Sequence, residues 1–186
     1  MSPILVRPVR EQLEHDRVIR LLQAKLKRKY EVAANVGEEQ AASVKIGAGQ
    51  MFPDLVLTSA GKGKRLEGIV EVETAESVNH LEAIAQWAHF GRARAPFHLY
   101  VPAATVEIAR RLCIENDVTV SEIWSYHTIA DQTRFTLVIR NNAPRPAASK
   151  SNGNRARSEP PNKPRSAAAA KSKSAKTKKS AARARR

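Results

Sequence analysis

Residues 53–74 of this 186-residue chain, PDLVLTSAGKGKRLEGIVEVET, contain the pattern that decides the fold. Two short apolar runs, 53–57 and 69–74, flank a segment rich in Gly, Lys and Ser, so the stretch predicts a β-hairpin. Side chains alternate between the two faces of a strand with a period of two. Glu71 and Glu73 are therefore expected on one face of the hairpin, and Val70 and Val72 on the other.

The acidic residues of this hairpin are candidates for a metal site. Asp54 opens the first strand, and the hairpin can bring its carboxylate next to those of Glu71 and Glu73. Three clustered carboxylates offer the oxygen ligands that a hard divalent cation prefers. A cation held in this way is the centre of a metal-dependent site that cleaves phosphodiester bonds. Acidic residues two apart are also common on the solvated face of a half-buried strand, so the hairpin alone leaves both interpretations open.

The charge of the chain is unevenly distributed. Residues 141–186 hold 14 of the 32 Lys and Arg residues but one of the 18 Asp and Glu residues, a net charge of +13, which leaves +1 for residues 1–140. The basic segment has no aromatic and no large aliphatic residue, so burial cannot offset the entropy of ordering it. We therefore predict a folded domain over residues 1–140, followed by a disordered tail rich in Lys, Arg, Ala, Ser and Pro over residues 141–186.

The tail has the composition of a polyanion-binding segment. Its partner is nucleic acid, an anionic membrane surface or an acidic protein. A membrane-binding tail would normally carry Trp, Phe or Leu, or a lipidation site, and this tail has neither. Nucleic acid is therefore favoured, and DNA over RNA. The composition resembles that of linker histones and bacterial histone-like proteins. The residues predicted to contact nucleic acid are Lys171, Lys173, Lys176, Lys178, Lys179, Arg183, Arg185 and Arg186.

The single cysteine and the N-terminus indicate the compartment. Cys113 lies within an apolar helical pattern, and one cysteine excludes a disulfide within the chain, which favours a reducing environment. Residues 1–7 lack a long apolar run, so neither a signal peptide nor a membrane span is expected. We expect a cytoplasmic, nucleoid-associated protein with no membrane partner, and the sequence leaves open whether it is a monomer or a homodimer.

The remaining patterns predict the order of the elements. A helix over 9–30 presents a face that includes His15, Ile19 and Leu22. A strand over 31–36 and a short one over 42–46 precede the hairpin. A helix capped by Ser77 or Asn79 then runs to about 92, with its apolar face formed by Val78, Leu81, Ala85 and Ala88. A strand over 97–101, a helix over 105–116 and strands over 118–126 and 134–140 complete the domain. Antiparallel strands followed by a strand–helix–strand crossover predict an α/β fold, a mixed central sheet with helices on both faces.

This order over residues 9–126, together with Pro53-Asp54 and Glu71-Val72-Glu73, resembles the restriction-endonuclease-like, or PD-(D/E)xK, nuclease superfamily. Gln86 and Phe90 also resemble the Gln-x-x-x-Tyr motif of one branch, with Phe in place of Tyr. The resemblance implies a restriction-endonuclease-like core in which Asp54, Glu71 and Glu73 are catalytic and ligate Mg²⁺ or Mn²⁺. It places Gln86 in the same active site.

The chain departs from the family at the third motif residue. That residue is usually Lys and here it is Glu73, although a few active restriction enzymes also carry Glu there. Lys45 is a candidate to supply an amine from elsewhere, and Glu11 or Glu14 on the first helix could complete the metal shell. Two functions follow as expectations. One is a metal-dependent DNA nuclease; the other is a non-catalytic nucleic-acid-binding protein, associated with the nucleoid or with RNA, on a decayed nuclease fold.

Overall fold

The computed structural model describes residues 8–37, 40–61 and 63–141. Their strands are β1 (Glu31–Ala34), β2 (Val44–Ile46), β3 (Gly49–Met51), β4 (Leu55–Thr58), β5 (Leu66–Val72), β6 (Phe97–Pro102), β7 (Glu122–Ile129) and β8 (Gln132–Arg140). Six of them form one sheet in the order β1-β4-β5-β6-β7-β8, and β2 and β3 form a separate hairpin. Within the large sheet, β5, β6 and β7 are parallel and the other neighbours are antiparallel.

Three helical segments accompany the sheet. The first is α1 (Val9–Leu26). The second, which we call the 80–90 helix, consists of α2 (His80–Glu82), a π-helical turn (Ala83–Trp87) and α3 (Ala88–Phe90). The third is α4 (Val106–Glu115), which follows a 3₁₀ turn (Ala103–Thr105). The two parallel connections, β5 to β6 and β6 to β7, each contain one of the later segments, as a parallel crossover requires.

The two faces of the sheet are covered by different helices. Val18, Ile19 and Leu22 of α1 pack on one face, against side chains of β4, β5, β6 and β7. The 80–90 helix, α4 and Val44 of the β2–β3 hairpin pack on the other face. The predicted α/β fold, a mixed sheet with helices on both faces, is therefore confirmed.

The hairpin that decides the fold forms as predicted, although β4 begins later, at Leu55, and β5 extends from Leu66 to Val72. Leu55 pairs with Val70 in an antiparallel register, and Val70 and Val72 are buried in the core at 1% and 0% exposure. Asp54 lies just before β4, and Glu73 lies just after β5. Both remain attached to the sheet by hydrogen bonds described below.

Other elements also differ from the predictions. α1 ends at Leu26, and residues 27–30 form a turn. β3 was not predicted, because its residues lie in a stretch rich in turn signals. β7 begins at Glu122 and not at Val118, since Val118 and Val120 are buried in the connection that precedes the strand. Burial in an irregular connection produces the same apolar pattern as burial in a strand.

The predicted apolar face of the 80–90 helix is correct at Val78, which is buried, and at Ala88, which packs against the core, but it is wrong at Leu81 and Ala85. Leu81 is 48% exposed and Ala85 is also exposed, whereas Glu82, Ala83, Trp87 and Phe90 are buried. The bulk of Trp87 and Phe90 determines which side faces the sheet, and the π-helical turn shifts the periodicity by one residue, since Ala88 N–H donates to Ala83 O. Asn79 caps this helix as predicted, because its side chain accepts a hydrogen bond from Glu82 N–H.

Cys113 lies in the core, where we expect it to be unreactive. It is 6% exposed, and burial raises the pKa of its thiol to about 12. Because the thiolate is the nucleophile, the folded protein should react with a thiol reagent at least about 100-fold more slowly than the unfolded chain. The rate of 5,5′-dithiobis(2-nitrobenzoate) reduction, in buffer and in concentrated guanidinium chloride, measures this. Equal rates in the two solutions would show that the thiol is accessible.

The predicted tail, residues 141–186, lies outside the described residues except for Asn141. No helix in the described part of the chain is long and apolar enough to cross a membrane.

Candidate functional site

Asp54 and Glu71 are brought together at the end of the β4–β5 pair. Because Leu55 is opposite Val70, Asp54 is opposite Glu71, and Asp54 N–H donates to Glu71 Oε2 at 3.2 Å. Asp54 Oδ2 in turn accepts a hydrogen bond from Val72 N–H at 2.7 Å. Both side chains are buried, at 8% and 4% exposure. These two predicted site residues are therefore buried and connected by hydrogen bonds, and they do not lie on a solvated face of a strand.

Glu73 is held by three partners just beyond β5. Its N–H donates to Tyr100 O at 2.8 Å, its carbonyl accepts from Tyr126 Oη at 2.7 Å, and its Oε1 accepts from Trp87 Nε1 at 2.7 Å. The residue has 0% exposure. Glu73 therefore joins β5 to β6, β7 and the 80–90 helix, and its contacts are those of an anchor.

Glu11 is the acidic residue of α1 that reaches this end of the sheet. It is buried, and its Oε1 accepts a hydrogen bond from Thr74 Oγ1. Thr74 N–H donates to Ser77 Oγ at 2.8 Å, which fixes the turn after β5. Glu14, the other candidate, is exposed. Of the two alternatives, only Glu11 contacts the segment that follows Glu73.

His15 lies between α1 and Asp54. It is 5% exposed, its Nε2 is 3.2 Å from Asp54 Oδ2 and its Nδ1 is 3.4 Å from Asp16 Oδ1. The sequence shows that His15 lies on the apolar face of α1, but a buried histidine on such a face is most often a hydrogen-bonded core residue. Its contact with Asp54 depends on the packing of α1 on the sheet, which no local pattern encodes.

Neither Gln86 nor Lys45, the two other predicted candidates, has a described contact with Asp54 or Glu71. Gln86 Nε2 donates to Glu82 Oε2 at 2.7 Å, so its described contact is within its own helix. Phe90, the partner in the partial motif, is 1% exposed and packs against Phe97 with ring centroids 5.7 Å apart. Lys45 is an exposed residue of β2 that lines a cavity formed with the 92–94 segment.

Buried acidic side chains are concentrated around the end of β5 and on the 80–90 helix. In the part of the chain that the structure describes, five carboxylates are at most 9% exposed: Glu11, Asp54, Glu71, Glu73 and Glu82. Removing one carboxylate from water costs several kcal/mol unless partners compensate. The hydrogen bonds from Val72 N–H, Trp87 Nε1, Thr74 Oγ1 and Gln86 Nε2 supply part of that compensation. Such a concentration of costly groups is characteristic of functional sites rather than of stable cores.

A second polar cluster, around Glu122, has a different character. Glu122 is bonded to Trp124 Nε1 at 2.8 Å and Arg140 Nε at 2.8 Å, and it also contacts His98 Nδ1 at 3.0 Å. Burial opposes ionisation of Glu122, but these bonds outweigh it and lower the pKa of the carboxyl group. For His98 the effect of burial is the larger one, and it lowers the pKa of the imidazole. The cluster connects the first residues of β6 and β7 with the last residue of β8.

The donor set at Asp54 and Glu71 fits a hard cation in chemistry, since both residues offer carboxylate oxygens. However, in the described residues no group of three or more His, Cys, Asp or Glu side chains is arranged to hold a metal ion. Glu73 Oε1 accepts a hydrogen bond from Trp87 Nε1. A site with all three acids as ligands therefore stays a prediction.

Comparison of the chain with protein-family models, with curated proteins and with solved structures finds no match.

The contacts of Glu73 change the expected effect of restoring the usual lysine. From the resemblance alone, Glu73→Lys should be tolerated. A lysine at this fully buried position would have an ammonium group next to Trp87 Nε1, and both groups are hydrogen-bond donors. We therefore expect Glu73→Lys to lower the free energy of unfolding by about 3–5 kcal/mol.

Glu73→Gln is the matched control, because its amide oxygen can still accept the bond from Trp87, and we expect a loss of about 1 kcal/mol. Urea denaturation followed by tryptophan fluorescence measures both values. Equal stability of the two variants would show that the pocket accommodates an amine.

Proposed function

We propose that this protein is a metal-dependent nuclease that hydrolyses phosphodiester bonds of DNA. The observation that supports the proposal most directly is the contact between two buried acidic residues, Asp54 and Glu71, at adjacent ends of β4 and β5. These are the positions at which the resemblance to the PD-(D/E)xK superfamily places metal ligands. The sheet order agrees with that resemblance, because an antiparallel hairpin leads into a parallel crossover.

In this proposal the chain's own residues prepare a rigid binding site. Asp54 and Glu71 would hold Mg²⁺ or Mn²⁺, and Glu11 is the candidate from α1. The bound ion would polarise a phosphoryl oxygen and lower the pKa of a bound water molecule. Val72 N–H and His15 fix the orientation of the Asp54 carboxylate. Glu73 acts as a positioning residue, because its three bonds hold the end of β5 in place.

The basic tail would keep the domain on its substrate. Most of the excess positive charge lies in residues 141–186, and such a segment binds a polyanion through screened, sequence-independent attraction. Attraction of this kind does not distinguish DNA from RNA, so DNA is proposed as the partner because the domain is proposed to be a DNA nuclease. A DNA-binding tail is in turn the reason for proposing a cytoplasmic, nucleoid-associated location.

The direct test is a cleavage assay with the full-length protein. Supercoiled plasmid, linear duplex, single-stranded and branched DNA are incubated with Mg²⁺, with Mn²⁺ or with excess EDTA. We expect cleavage of at least one substrate with a divalent ion and none with EDTA. Absence of cleavage under every condition would contradict the nuclease proposal.

One observation favours a second function, a non-catalytic nucleic-acid-binding protein. The position that usually carries the lysine is occupied by Glu73, which is fully buried and bonded to Trp87. The motif therefore supplies no amine to activate water at that point. Tight DNA binding without cleavage would select this alternative.

A further inference from the structure

A large groove lies at the opposite end of the β4–β5 pair from the carboxylates. Its volume is about 650 Å³. Its apolar lining includes Val44, Ile46, Val56, Leu66 and Ala93, and its rim carries Lys45, Lys64, Arg92 and Arg94. We call these nine residues, with the cavity they enclose, the basic groove.

Positive charge is concentrated in the basic groove although the domain is nearly neutral. Residues 1–140 carry a net charge of +1, yet four cations line this one cavity and the described residues lining it include no Asp or Glu. Lys64 is paired with Glu31 at 2.9 Å on an exposed edge. Lys45, Arg92 and Arg94 are also exposed. A cavity with this rim is complementary to an anion with several charges.

The basic groove lies on the same face of the sheet as the side chains of Glu71 and Glu73. Val56 lines the groove and belongs to the core on the side of the 80–90 helix, as does Ile69. Since Ile69, Glu71 and Glu73 alternate with Val70 and Val72, they share that face. Thr58, at the groove end of β4, is four residues from Asp54, or about 13 Å along the strand.

We propose that the basic groove binds the sugar–phosphate backbone of DNA that flanks the bond at the carboxylates. This inference rests on the proposed function. One strand of duplex DNA has a phosphate about every 3.4 Å along the helix axis, so about 13 Å corresponds to roughly four base pairs. No described residue that lines the groove is aromatic, so it offers no stacking platform for unpaired bases. The contact is therefore to phosphate and sugar, which carry no sequence information directly.

The test compares two double variants of the full-length chain that have the same net charge. Arg92→Ala/Arg94→Ala removes two cations from the groove. Arg110→Ala/Arg111→Ala removes two exposed cations from α4, whose ion pairs are to Glu107 and Glu115 of the same helix. Binding of a dye-labelled DNA duplex is measured by fluorescence anisotropy over a range of salt concentrations. EDTA is present, so that cleavage does not interfere.

We expect the groove variant to lose roughly tenfold in affinity at physiological salt. The slope of log K against log salt should become shallower by about 1.8, because each lost phosphate contact removes about 0.9. The α4 variant should stay within about twofold of the wild type. Equal affinities of the two variants would overturn the inference. Loss of affinity for anionic lipid vesicles with unchanged affinity for DNA would also overturn it.

These outcomes are separable from failure of the proposed function. If the wild type cleaves DNA with Mg²⁺ or Mn²⁺ and the two double variants bind equally, the groove inference fails and the nuclease stands. If the wild type does not cleave and the groove variant alone loses affinity, the nuclease fails and the groove remains a DNA contact.

Discussion

Asp54→Asn and Glu71→Gln are each expected to reduce metal-dependent DNA cleavage by at least about 1,000-fold. Each change removes a charged oxygen ligand, and a loss of about 4 kcal/mol of transition-state stabilisation corresponds to that factor. The fold should survive, because the new amide oxygens can still accept the bonds from Val72 N–H and Asp54 N–H. Initial rates of plasmid cleavage at saturating Mg²⁺, with circular dichroism to confirm folding, measure the effect.

Matched controls make the same chemical changes on the surface. Asp131→Asn alters a carboxylate that is 98% exposed in the β7–β8 turn, and Glu107→Gln alters one that is 81% exposed on α4. Both variants should cleave at the wild-type rate within about twofold, since substitutions of exposed residues far from the buried carboxylates usually have small effects. If Asp54→Asn and Asp131→Asn cleave equally fast, any activity resides elsewhere in the chain.

The site residues of the β4–β5 hairpin could be found from the sequence because a strand has a simple period. The alternation Val70, Glu71, Val72, Glu73 fixes which side chains share a face, and the hairpin turn fixes which strand lies opposite. These two facts predict that Asp54 and Glu71 lie close together, whereas their direct pairing depends on the register that the folded hairpin adopts. The sequence left open whether Glu11 or Glu14 reaches this end of the sheet, and the structure shows that Glu11 contacts Thr74.

The period of the strand could not predict whether Glu73 is a metal ligand or a buried residue that holds neighbouring elements together. Whether Glu73 faces a cation or Trp87 depends on how the 80–90 helix is rotated against the sheet. The predicted face was right at Val78 and Ala88 but wrong at Leu81 and Ala85, because small and aliphatic residues satisfy a helical period on more than one face. The π-helical turn, which has no sequence signature in this segment, then sets the direction of Trp87.

The same limit applies to the basic groove. Its cations come from β2, from the β4–β5 turn and from the segment after α3, so they are far apart in sequence. The pattern around Lys64 alone indicates no more than an exposed turn. The arrangement of charge in the domain, with acids at one end of β4 and β5 and cations at the other, appears only after the sheet has formed.

Deletion of residues 141–186 is expected to make DNA binding much less sensitive to salt. The deletion removes a net charge of +13. Each phosphate neutralised on duplex DNA contributes about −0.9 to the slope of log K against log salt, so even five engaged tail cations account for roughly −4.5. We do not expect all fourteen tail cations to contact DNA at once, so the change should remain well below the maximum for fourteen. Between about 50 and 200 mM salt, a slope of −4.5 corresponds to a change in affinity of roughly 500-fold.

The measurement is a salt titration of duplex binding by the full-length and truncated proteins, with circular dichroism to check that the truncated domain is folded. The apolar pattern ends at Ile139 and β8 ends at Arg140, so the truncation removes no strand of the sheet. The truncated domain should keep a shallow slope that reflects the cations of the basic groove, and Arg92→Ala/Arg94→Ala should reduce that remainder further. Equal slopes for the full-length and truncated proteins would show that the folded domain, and not the tail, is the main electrostatic contact with DNA.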